Sequence, residues 1–168
     1  MINIILYEPE KPANIGNIMR SCASLGAKLI IIGPLSFAKD EKTLRRAAMD
    51  YIYNLELEYF DNYEEFTKKY SDKKIYYVTR YSDEAPDAFD FSDYVEDTYL
   101  MFGRESTGIP LEVMKEHLDR CIRLPMKPFA RSLNLSNCVA IMIYEVCRQQ
   151  HYFGLSTRDH LKDEHYLK

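Results

Sequence analysis

Side chains that could bind or activate a ligand gather in three polar loops, each following a predicted strand. The first loop spans residues 12–20 and carries Asn14, Asn17 and Arg20. Asn14 suits the N-cap of the helix that follows, because its side-chain oxygen can accept a hydrogen bond from an unpaired backbone N–H. Arg20 lies about one turn after Asn17 on the same side, where a guanidinium can bind a phosphate in fork geometry. The alternative is an ordinary capped helix with a solvated arginine.

The second loop region spans residues 100–110, and the hydrophobic strand that leads into it ends at Gly103. Arg104, Glu105 and Ser106 follow, and a second glycine and a proline lead into a helix. In an open parallel sheet, ligands bind beyond the carboxyl ends of the strands. The charged and hydroxyl groups in this loop therefore favour a binding role. A tight strand-to-helix turn, which needs only the glycines, is the alternative.

The third loop region lies within residues 122–137. Ser132, Asn134, Ser136 and Asn137 are interspersed with leucines just before a very apolar helix. Capping a helix requires one such residue, and the helix N-terminus also offers unpaired backbone donors. The excess of hydroxyl and amide groups therefore predicts a binding site.

Several common kinds of active site lack their motifs in this sequence. It contains no Gly-x-Gly-x-x-Gly, no Walker loop and no Gly-x-Ser-x-Gly elbow, which argues against nicotinamide, nucleoside-triphosphate and serine-hydrolase chemistry. The four cysteines, at positions 22, 121, 138 and 147, form no Cys-x-x-Cys pair and have no histidine nearby at metal-ligand spacing. We therefore expect reduced core thiols and no metal site.

Strands alternating with helices must position these loops. The predicted strands, rich in Ile, Leu, Tyr and Val, are residues 2–7, 28–32, 75–79, 99–102 and 121–124. The predicted helices are residues 14–25, 62–70 and 110–118, and a last helix that runs from Asn134 or Ser136 to about Gln150. This alternation predicts an α/β fold with a mainly parallel sheet and helices on both faces.

The last predicted helix has almost no polar face for two turns, because residues 139–143, Val146 and Cys147 are all apolar. A helix that is apolar on all sides must be buried on all sides. A sheet covers only one side of such a helix in a small domain, so a second subunit would cover the other side. The alternative is burial wholly within one subunit.

The chain has 168 residues, 46% of them hydrophobic, which is enough for one domain with a sizeable core. The formal net charge is −4, but residues 54–100 alone carry 13 acidic and 5 basic residues, so both flanks are mildly positive. This distribution argues against indiscriminate nucleic-acid binding and is compatible with a local basic face. No apolar run approaches ~20 residues and the N-terminus is typical of a buried strand, so we expect a cytoplasmic protein with no membrane helix or signal peptide.

Together the three loops resemble those of the SPOUT class of RNA methyltransferases, most closely the branch that methylates the ribose 2′-OH of the tRNA wobble nucleotide, C34 or U34. The matching residues are Leu6-Tyr7-Glu8-Pro9-Glu10, Asn14-x-Gly16-Asn17-x-x-Arg20, Leu44-Arg45-Arg46-Ala47, Phe102-Gly103-x-Glu105-x-x-Gly108, Pro125-Met126 and Arg131-Ser132-Leu133-Asn134-Leu135-Ser136-Asn137. The resemblance implies a single methyltransferase domain over residues 1–153, followed by a polar C-terminal tail at 154–168.

The resemblance further implies a Rossmann-like sheet with a deep C-terminal trefoil knot and an obligate homodimer, which agrees with the apolar C-terminal helix. The implied cofactor is S-adenosylmethionine, with S-adenosylhomocysteine as product. The implied cofactor-binding residues are Val78, Thr79, Gly103, Ile122, Leu124, Ser132, Leu133 and Asn134. The implied catalytic residues are Arg20, Asn17, Glu105, Ser136 and Asn137. We expect tRNA contacts from Arg45, Arg46, Arg80, Arg104, Arg131 and Tyr144, the last reaching the partner subunit's site, and further phosphate contacts from Lys11, Arg123 and Lys127.

By resemblance, Arg20 lies at the reacting hydroxyl. A free arginine side chain is almost always protonated, so we expect Arg20 to hold the adjacent phosphate and stabilise the developing alkoxide. The sequence departs from many relatives at Ile15 and at Arg104. We expect Arg104 to contact RNA or to pair with Glu105. Two other functions stay open. One is a ribose or base methyltransferase acting elsewhere on tRNA or on rRNA, and the other is a non-catalytic module that binds RNA or an adenosyl ligand.

Overall fold

A computed structural model describes residues 1–35 and 53–158 and shows a six-stranded sheet in which every pairing is parallel. The strands are β1 (Ile2–Tyr7), β2 (Lys28–Ile32), β3 (Leu57–Phe60), β4 (Ile75–Val78), β5 (Thr98–Phe102) and β6 (Cys121–Ile122), and their order across the sheet is β3-β2-β1-β5-β4-β6. Because the strands are parallel, the loops that follow β1, β5, β4 and β6 all leave the same edge of the sheet.

Helices cover both faces of this sheet. Within the described residues the α-helices are α1 (Pro12–Leu25), α2 (Tyr63–Tyr70), α3 (Leu111–Met114) and α4 (Leu135–Gln149). The buried side chains of α1 and α4 belong to one core cluster, and those of α2 and α3 belong to a second cluster on the other face. The predicted α/β fold with a parallel sheet and helices on both faces is confirmed.

Strand β1 explains why the sheet sequence is so apolar. Ile4 and Leu6 pack into the cluster of α1 and α4, whereas Ile5 and Tyr7 pack into the cluster of α2 and α3. All six residues of the strand are buried. Successive side chains of a strand point to opposite faces, so a strand that is covered on both sides needs apolar residues at every position.

Two elements differ from the predicted ones at the sheet edges. Strand β3 is absent from the predicted strands because its acidic Glu58 interrupts the apolar run, and the partner of that carboxylate, Lys28, lies on the neighbouring strand. At the other edge, the predicted strand 121–124 pairs with β4 only as far as Ile122. No residue of β3 is fully buried, so this strand lacks the apolar run of the central strands. Strand β6 is short, but both of its residues are buried.

Helix boundaries differ as well. Helix α1 begins at Pro12 with Lys11 as its N-cap, so Asn14 is a buried residue of the first turn and not the predicted cap. The predicted helix 110–118 consists of the single turn of α3, followed after a gap by a 3-10 turn at Leu118–Arg120. The predicted start of the last helix is confirmed, because the Asn134 side chain accepts hydrogen bonds from the first turn of α4.

All four cysteines are free thiols, and Cys22, Cys121 and Cys147 are buried while Cys138 is half-buried. This agrees with the predicted core thiols. Across residues 1–35 and 53–158 we find no helix long and apolar enough to cross a membrane. The same ranges contain no group of three or more His, Cys, Asp or Glu side chains that could hold a metal ion.

Candidate functional site

The three polar loops meet at one edge of the sheet and enclose a pocket of about 330 Å³. Its walls come from Lys11 and Asn14 on the first loop and α1, from residues 78–81 after β4, from residues 102–109 after β5, and from residues 123–138 after β6. A pocket of this size is within the range of small-molecule sites, which runs from ~300 to 1,000 Å³. Segments far apart along the chain therefore form a single site.

The Glu105 carboxylate joins the second loop to the first. One oxygen accepts a hydrogen bond from the backbone N–H of Glu10 at 2.8 Å. The other accepts from the backbone N–H of Lys11 at 3.1 Å and from the Asn14 side-chain amide at 2.8 Å. A carboxylate that accepts three hydrogen bonds is held in one orientation. Glu105 therefore fixes the entry to α1 and occupies much of its own bonding capacity within the protein.

Asn14 extends this connection to the third loop. Its side-chain oxygen accepts a hydrogen bond from the Asn134 amide nitrogen at 3.0 Å. The Asn134 oxygen in turn accepts from the backbone N–H and the hydroxyl of Ser136, at 2.9 and 2.7 Å. We call Glu105, Asn14 and Asn134 the amide–carboxylate chain. It ties the three loops together at the pocket and explains why Asn14 is buried in the helix.

A second carboxylate, that of Glu10 before α1, accepts hydrogen bonds from the loop after β5 and so connects the same two segments. Its two oxygens accept hydrogen bonds from the Ser106 backbone N–H at 2.9 Å and from the Ser106 hydroxyl at 2.6 Å. The hydrogen bond from the Ser106 hydroxyl lowers the pKa of Glu10 below its usual value. Glu10 and Glu105 therefore connect the loops reciprocally, each carboxylate binding the backbone of the other loop.

Arg104 pairs with Glu8, not with Glu105 as one of the two expectations held. Its Nε donates to a Glu8 oxygen at 2.9 Å, its Nη2 donates to the same oxygen, and its guanidinium lies 5.4 Å from the centroid of the Tyr7 ring. The hydrogen bonds to Glu8 raise the pKa of Arg104. Glu8 itself has a left-handed backbone, with φ of 45°, which is uncommon for a residue with a side chain. The ion pair helps to hold this conformation at the end of β1.

Gly103 allows the loop after β5 to turn back on itself. A Cβ atom at this position would lie 2.1 Å from the backbone nitrogen of Ile109 and 2.2 Å from the carbonyl carbon of Gly108. These distances are far below van der Waals contact, so no side chain fits. The absence of a side chain is required by the loop itself, whatever lies in the pocket.

Seven of the eight residues implied for cofactor binding line the pocket: Val78, Thr79, Gly103, Leu124, Ser132, Leu133 and Asn134. The eighth, Ile122, is fully buried in the core beneath it. The Ile122 carbonyl accepts a hydrogen bond from the Thr79 backbone N–H at 2.9 Å. Its contribution is therefore to hold the loop after β4 in place.

Of the implied catalytic residues, only Glu105 lines the pocket of a single chain. Asn17 and Arg20 are exposed on α1, and Asn137 is exposed on α4, the helix that packs beside α1. Ser136 is buried and bound to Asn134. Arg20 therefore lies outside the residues that line the pocket of a single chain, and its position at the reacting hydroxyl stays a prediction.

Of the residues implied for tRNA contact, some line the pocket and others lie outside it. Arg80 and Arg104 line the pocket, as do Lys11 and Arg123. Arg131 and Tyr144 are exposed outside it. Arg45 and Arg46 lie outside the described residues.

Sequence reasoning missed other lining residues, which are Tyr81, Phe102, Thr107, Ile109, Met126, Leu135 and Cys138. Most are apolar residues that loops and core could equally use, so only the folded chain identifies them. The sequence does contain a feature that could have identified Tyr81 as a binding residue, because it is an aromatic residue next to Arg80 just after a predicted strand. Asn14 belongs to the first of the predicted polar loops, where the sequence indicates an N-cap, and it also lines the pocket.

The pocket combines apolar walls with fixed polar groups. Val78, Ile109 and Leu124 supply apolar surface, while Thr79 and Ser132 offer hydroxyls. Such a lining suits a ligand with a flat hydrophobic ring and a few hydrogen-bonding groups, as an adenosyl group has. Of the charged side chains that line the pocket, Arg104 is paired with Glu8. Lys11, Arg80 and Arg123 are also cationic and only Glu105 is acidic, so a polyanion is favoured at the mouth of the pocket.

Comparison with known proteins gives the following relatives. Residues 1–144 match the SpoU rRNA Methylase family. A protein from Escherichia coli strain K12, named tRNA (cytidine(34)-2'-O)-methyltransferase, is 41% identical over 160 residues, which cover 95% of this chain and 100% of that protein.

Solved structures of RNA methyltransferases are also similar to this chain. A protein whose structure addresses the 2-OH methylation of C/U34 on tRNA superposes with a TM-score of 0.80 at 33% identity, covering 90% of this chain and 97% of the other. The SpoU methyltransferase AviRb from Streptomyces viridochromogenes, in complex with the cofactor AdoMet, superposes with a TM-score of 0.72 at 26% identity, covering 89% of this chain and 60% of that one.

Proposed function

The chain belongs to the SpoU rRNA Methylase family, and we propose that it transfers a methyl group from S-adenosylmethionine to the ribose 2′-oxygen of nucleotide 34 of tRNA. The observation that carries this proposal is the convergence of three separate loops on one pocket, tied together by the amide–carboxylate chain. The relatives named for this reaction span nearly the whole chain, which supports the choice of substrate.

We propose that the cofactor is held by Val78, Thr79, Gly103, Leu124 and residues 132–134, which line the pocket. S-adenosylmethionine supplies a methyl group that is already activated by its sulfonium. The apolar walls suit its adenine, and the exposed Ser132 and Asn134 provide polar groups at the edge. The domain that binds it comprises residues 1–153.

The chain's own catalytic task is to prepare the ribose hydroxyl. A hydroxyl is a poor nucleophile until its proton passes to a base or to solvent water, so a group must stabilise the developing oxyanion. We assign this role to the Arg20 guanidinium, which also holds the neighbouring phosphate. Asn17 and Asn137 are exposed on the neighbouring helices and are further candidates to contact the substrate.

A homodimer would reconcile this assignment with the position of Arg20 outside its own pocket. The exposed side of α4 carries Ile141 and Tyr144, which are 45% and 54% exposed. Large apolar side chains that stay exposed on one side of a helix favour a subunit interface. In our proposal, a second copy packs on this face and brings the outer surfaces of α1 and α4 of one subunit toward the site of the other.

The proposal is tested by incubating the protein with bulk tRNA and S-adenosylmethionine that carries a labelled methyl group, followed by nuclease digestion and mass spectrometry. We expect label on the ribose of nucleotide 34. Label at another position of tRNA, or on rRNA alone, would replace this function with a different methyltransferase activity. A single-turnover assay without any transfer would indicate a binding module.

A further inference from the structure

The loop after β4 presents an arginine and a tyrosine, stacked on each other, at the mouth of the pocket. The carbon at the centre of the Arg80 guanidinium lies 4.8 Å from the centroid of the Tyr81 ring, and Arg80 Nη2 donates a hydrogen bond to the Tyr81 hydroxyl at 2.6 Å. Both residues line the pocket, and Tyr81 is 65% exposed. Tyrosine, which has an apolar ring and a polar hydroxyl, is enriched at binding interfaces.

The backbone that carries this pair is fixed on both sides. The Tyr81 backbone N–H donates to the Thr79 hydroxyl oxygen at 3.3 Å. The buried Ser82 hydroxyl donates to the carbonyl of Cys121 on β6 at 2.6 Å. Arg123 donates from its side chain to the Arg80 carbonyl at 2.6 Å. These hydrogen bonds hold the loop against the end of the sheet in the conformation that exposes Tyr81.

The charged side chains that line the pocket beside the pair favour an anionic partner. Arg80 and Arg123 line the same wall, and neither takes part in an ion pair with another of the described residues. By contrast, Arg104 is neutralised by Glu8. A flat aromatic ring that is backed by a guanidinium and flanked by a second arginine is the arrangement on which unpaired nucleobases stack.

We propose that the Arg80–Tyr81 pair is a stacking platform for an unpaired base of the RNA, next to the nucleotide whose ribose is methylated. This rests on the proposed function. Arg80 lies over one face of the Tyr81 ring, and in this proposal the base stacks on the other face. The adenine of the cofactor is a second possible source of a flat ring, but the open position of Tyr81 at the mouth favours the macromolecule.

The test compares wild type with Tyr81→Ala and Tyr81→Phe, with Leu118→Ala as control because Leu118 is 64% exposed and lies away from the pocket. Binding of an anticodon stem-loop RNA is measured by fluorescence anisotropy, and binding of S-adenosylhomocysteine by calorimetry. We expect Tyr81→Ala to weaken RNA binding about 5- to 100-fold, the loss typical of one stacked base. Tyr81→Phe and the control should stay within about threefold of wild type, and affinity for S-adenosylhomocysteine should not change.

Abasic RNAs identify the stacked base. Stem-loops that lack the base on one side of nucleotide 34 or the other are bound to wild type and to Tyr81→Ala. The effect of the substitution should vanish on one of these RNAs and persist on the other. An effect of equal size on both, or a loss of S-adenosylhomocysteine binding with RNA binding intact, would overturn the platform. If the wild-type protein neither binds nor methylates tRNA, both the proposed function and the platform are refuted. If the wild-type protein methylates tRNA and Tyr81→Ala does not change RNA binding, only the platform is refuted.

Discussion

Gly103 shows how one residue decides the shape of a loop at the site. A Cβ there would overlap the backbone of Gly108 and Ile109. We predict that Gly103→Ala lowers the free energy of unfolding by about 3 kcal/mol or more, because the backbone of the loop has to move. Urea unfolding measures this change.

The matched control is Gly26→Ala. Gly26 has a φ of 68° but no atom within 4 Å of its missing Cβ, so only the left-handed conformation opposes a side chain, at a cost of roughly 1–2 kcal/mol. Equal effects at the two positions would show that crowding at Gly103 has been relieved in some other way.

At the same scale, the proposed role of Arg20 is to stabilise the transition state of methyl transfer and not to bind the cofactor. We predict that Arg20→Ala lowers the rate of methyl transfer by at least about 100-fold, the loss typical of a missing oxyanion-stabilising group. Affinity for S-adenosylhomocysteine, measured by calorimetry, should stay near that of wild type. A parallel loss of rate and affinity would contradict the assignment. Lys68→Ala, an exposed substitution on α2, serves as control.

At the scale of elements, Asn14 connects α1 to the loop that begins α4. We predict that Asn14→Ala lowers the free energy of unfolding by roughly 1–3 kcal/mol, because the Glu105 carboxylate and the Asn134 amide each lose a buried partner. Affinity for S-adenosylhomocysteine should fall as well, since Asn134 lines the pocket.

Asn17→Ala is the control for stability, because this second asparagine of α1 is exposed. Its free energy of unfolding should stay within about 0.5 kcal/mol of wild type, as for most surface substitutions. An Asn14→Ala protein that is as stable as Asn17→Ala would show that the amide–carboxylate chain does not hold the loops together.

Glu58 on β3 is the group through which we expect the stability of the protein to depend on pH. Burial raises the pKa of this carboxyl, but hydrogen bonds from Lys28, Lys69 and Tyr70 outweigh burial and bring the pKa to about 2. A folded-state pKa below the unfolded value stabilises the protein above the unfolded pKa, and this contribution is lost as pH falls from about 4.5 toward about 2.

We therefore predict that Glu58→Gln lowers the free energy of unfolding by roughly 2 kcal/mol at neutral pH, and that the difference from wild type shrinks progressively below pH ~4.5. Urea unfolding across this pH range measures it. Glu64→Gln removes an exposed ion pair with Lys68, and its unfolding free energy should follow wild type at every pH. A difference at Glu58 that is independent of pH would contradict the role of the charge.

At the scale of the whole molecule, the proposed dimer buries the exposed side of α4. We predict that Ile141→Asp shifts the protein from dimer to monomer in sedimentation experiments, because an unpaired carboxylate would be buried in an apolar interface. Leu111→Asp is the control, since Leu111 is 68% exposed on α3, on the opposite face of the sheet. A wild-type protein that is monomeric at micromolar concentration would contradict the interface, and with it the reason given for the position of Arg20.

The amino-acid sequence by itself determined the class of fold, because strands buried on both faces and amphipathic helices have distinct apolar periods. It also determined the loops of the site, since Gly103, Glu105 and Asn134 stand out as polar or small residues at the ends of apolar runs. Five of the six strands of the sheet were predictable in this way. The sixth, β3, was not, because an edge strand whose Glu58 bonds to the next strand lacks an apolar run.

Only the tertiary structure decided which polar groups pair with one another. Arg104 bonds to Glu8, and Glu105 bonds to Asn14, across more than 90 positions of the chain. Such partners are fixed by the order of strands in the sheet, which local periodicity does not encode. The structure also showed that Arg20 is exposed and does not line the pocket of its own chain, whereas Tyr81 does line it. Exposure depends on how the helices and loops pack and not on residue type.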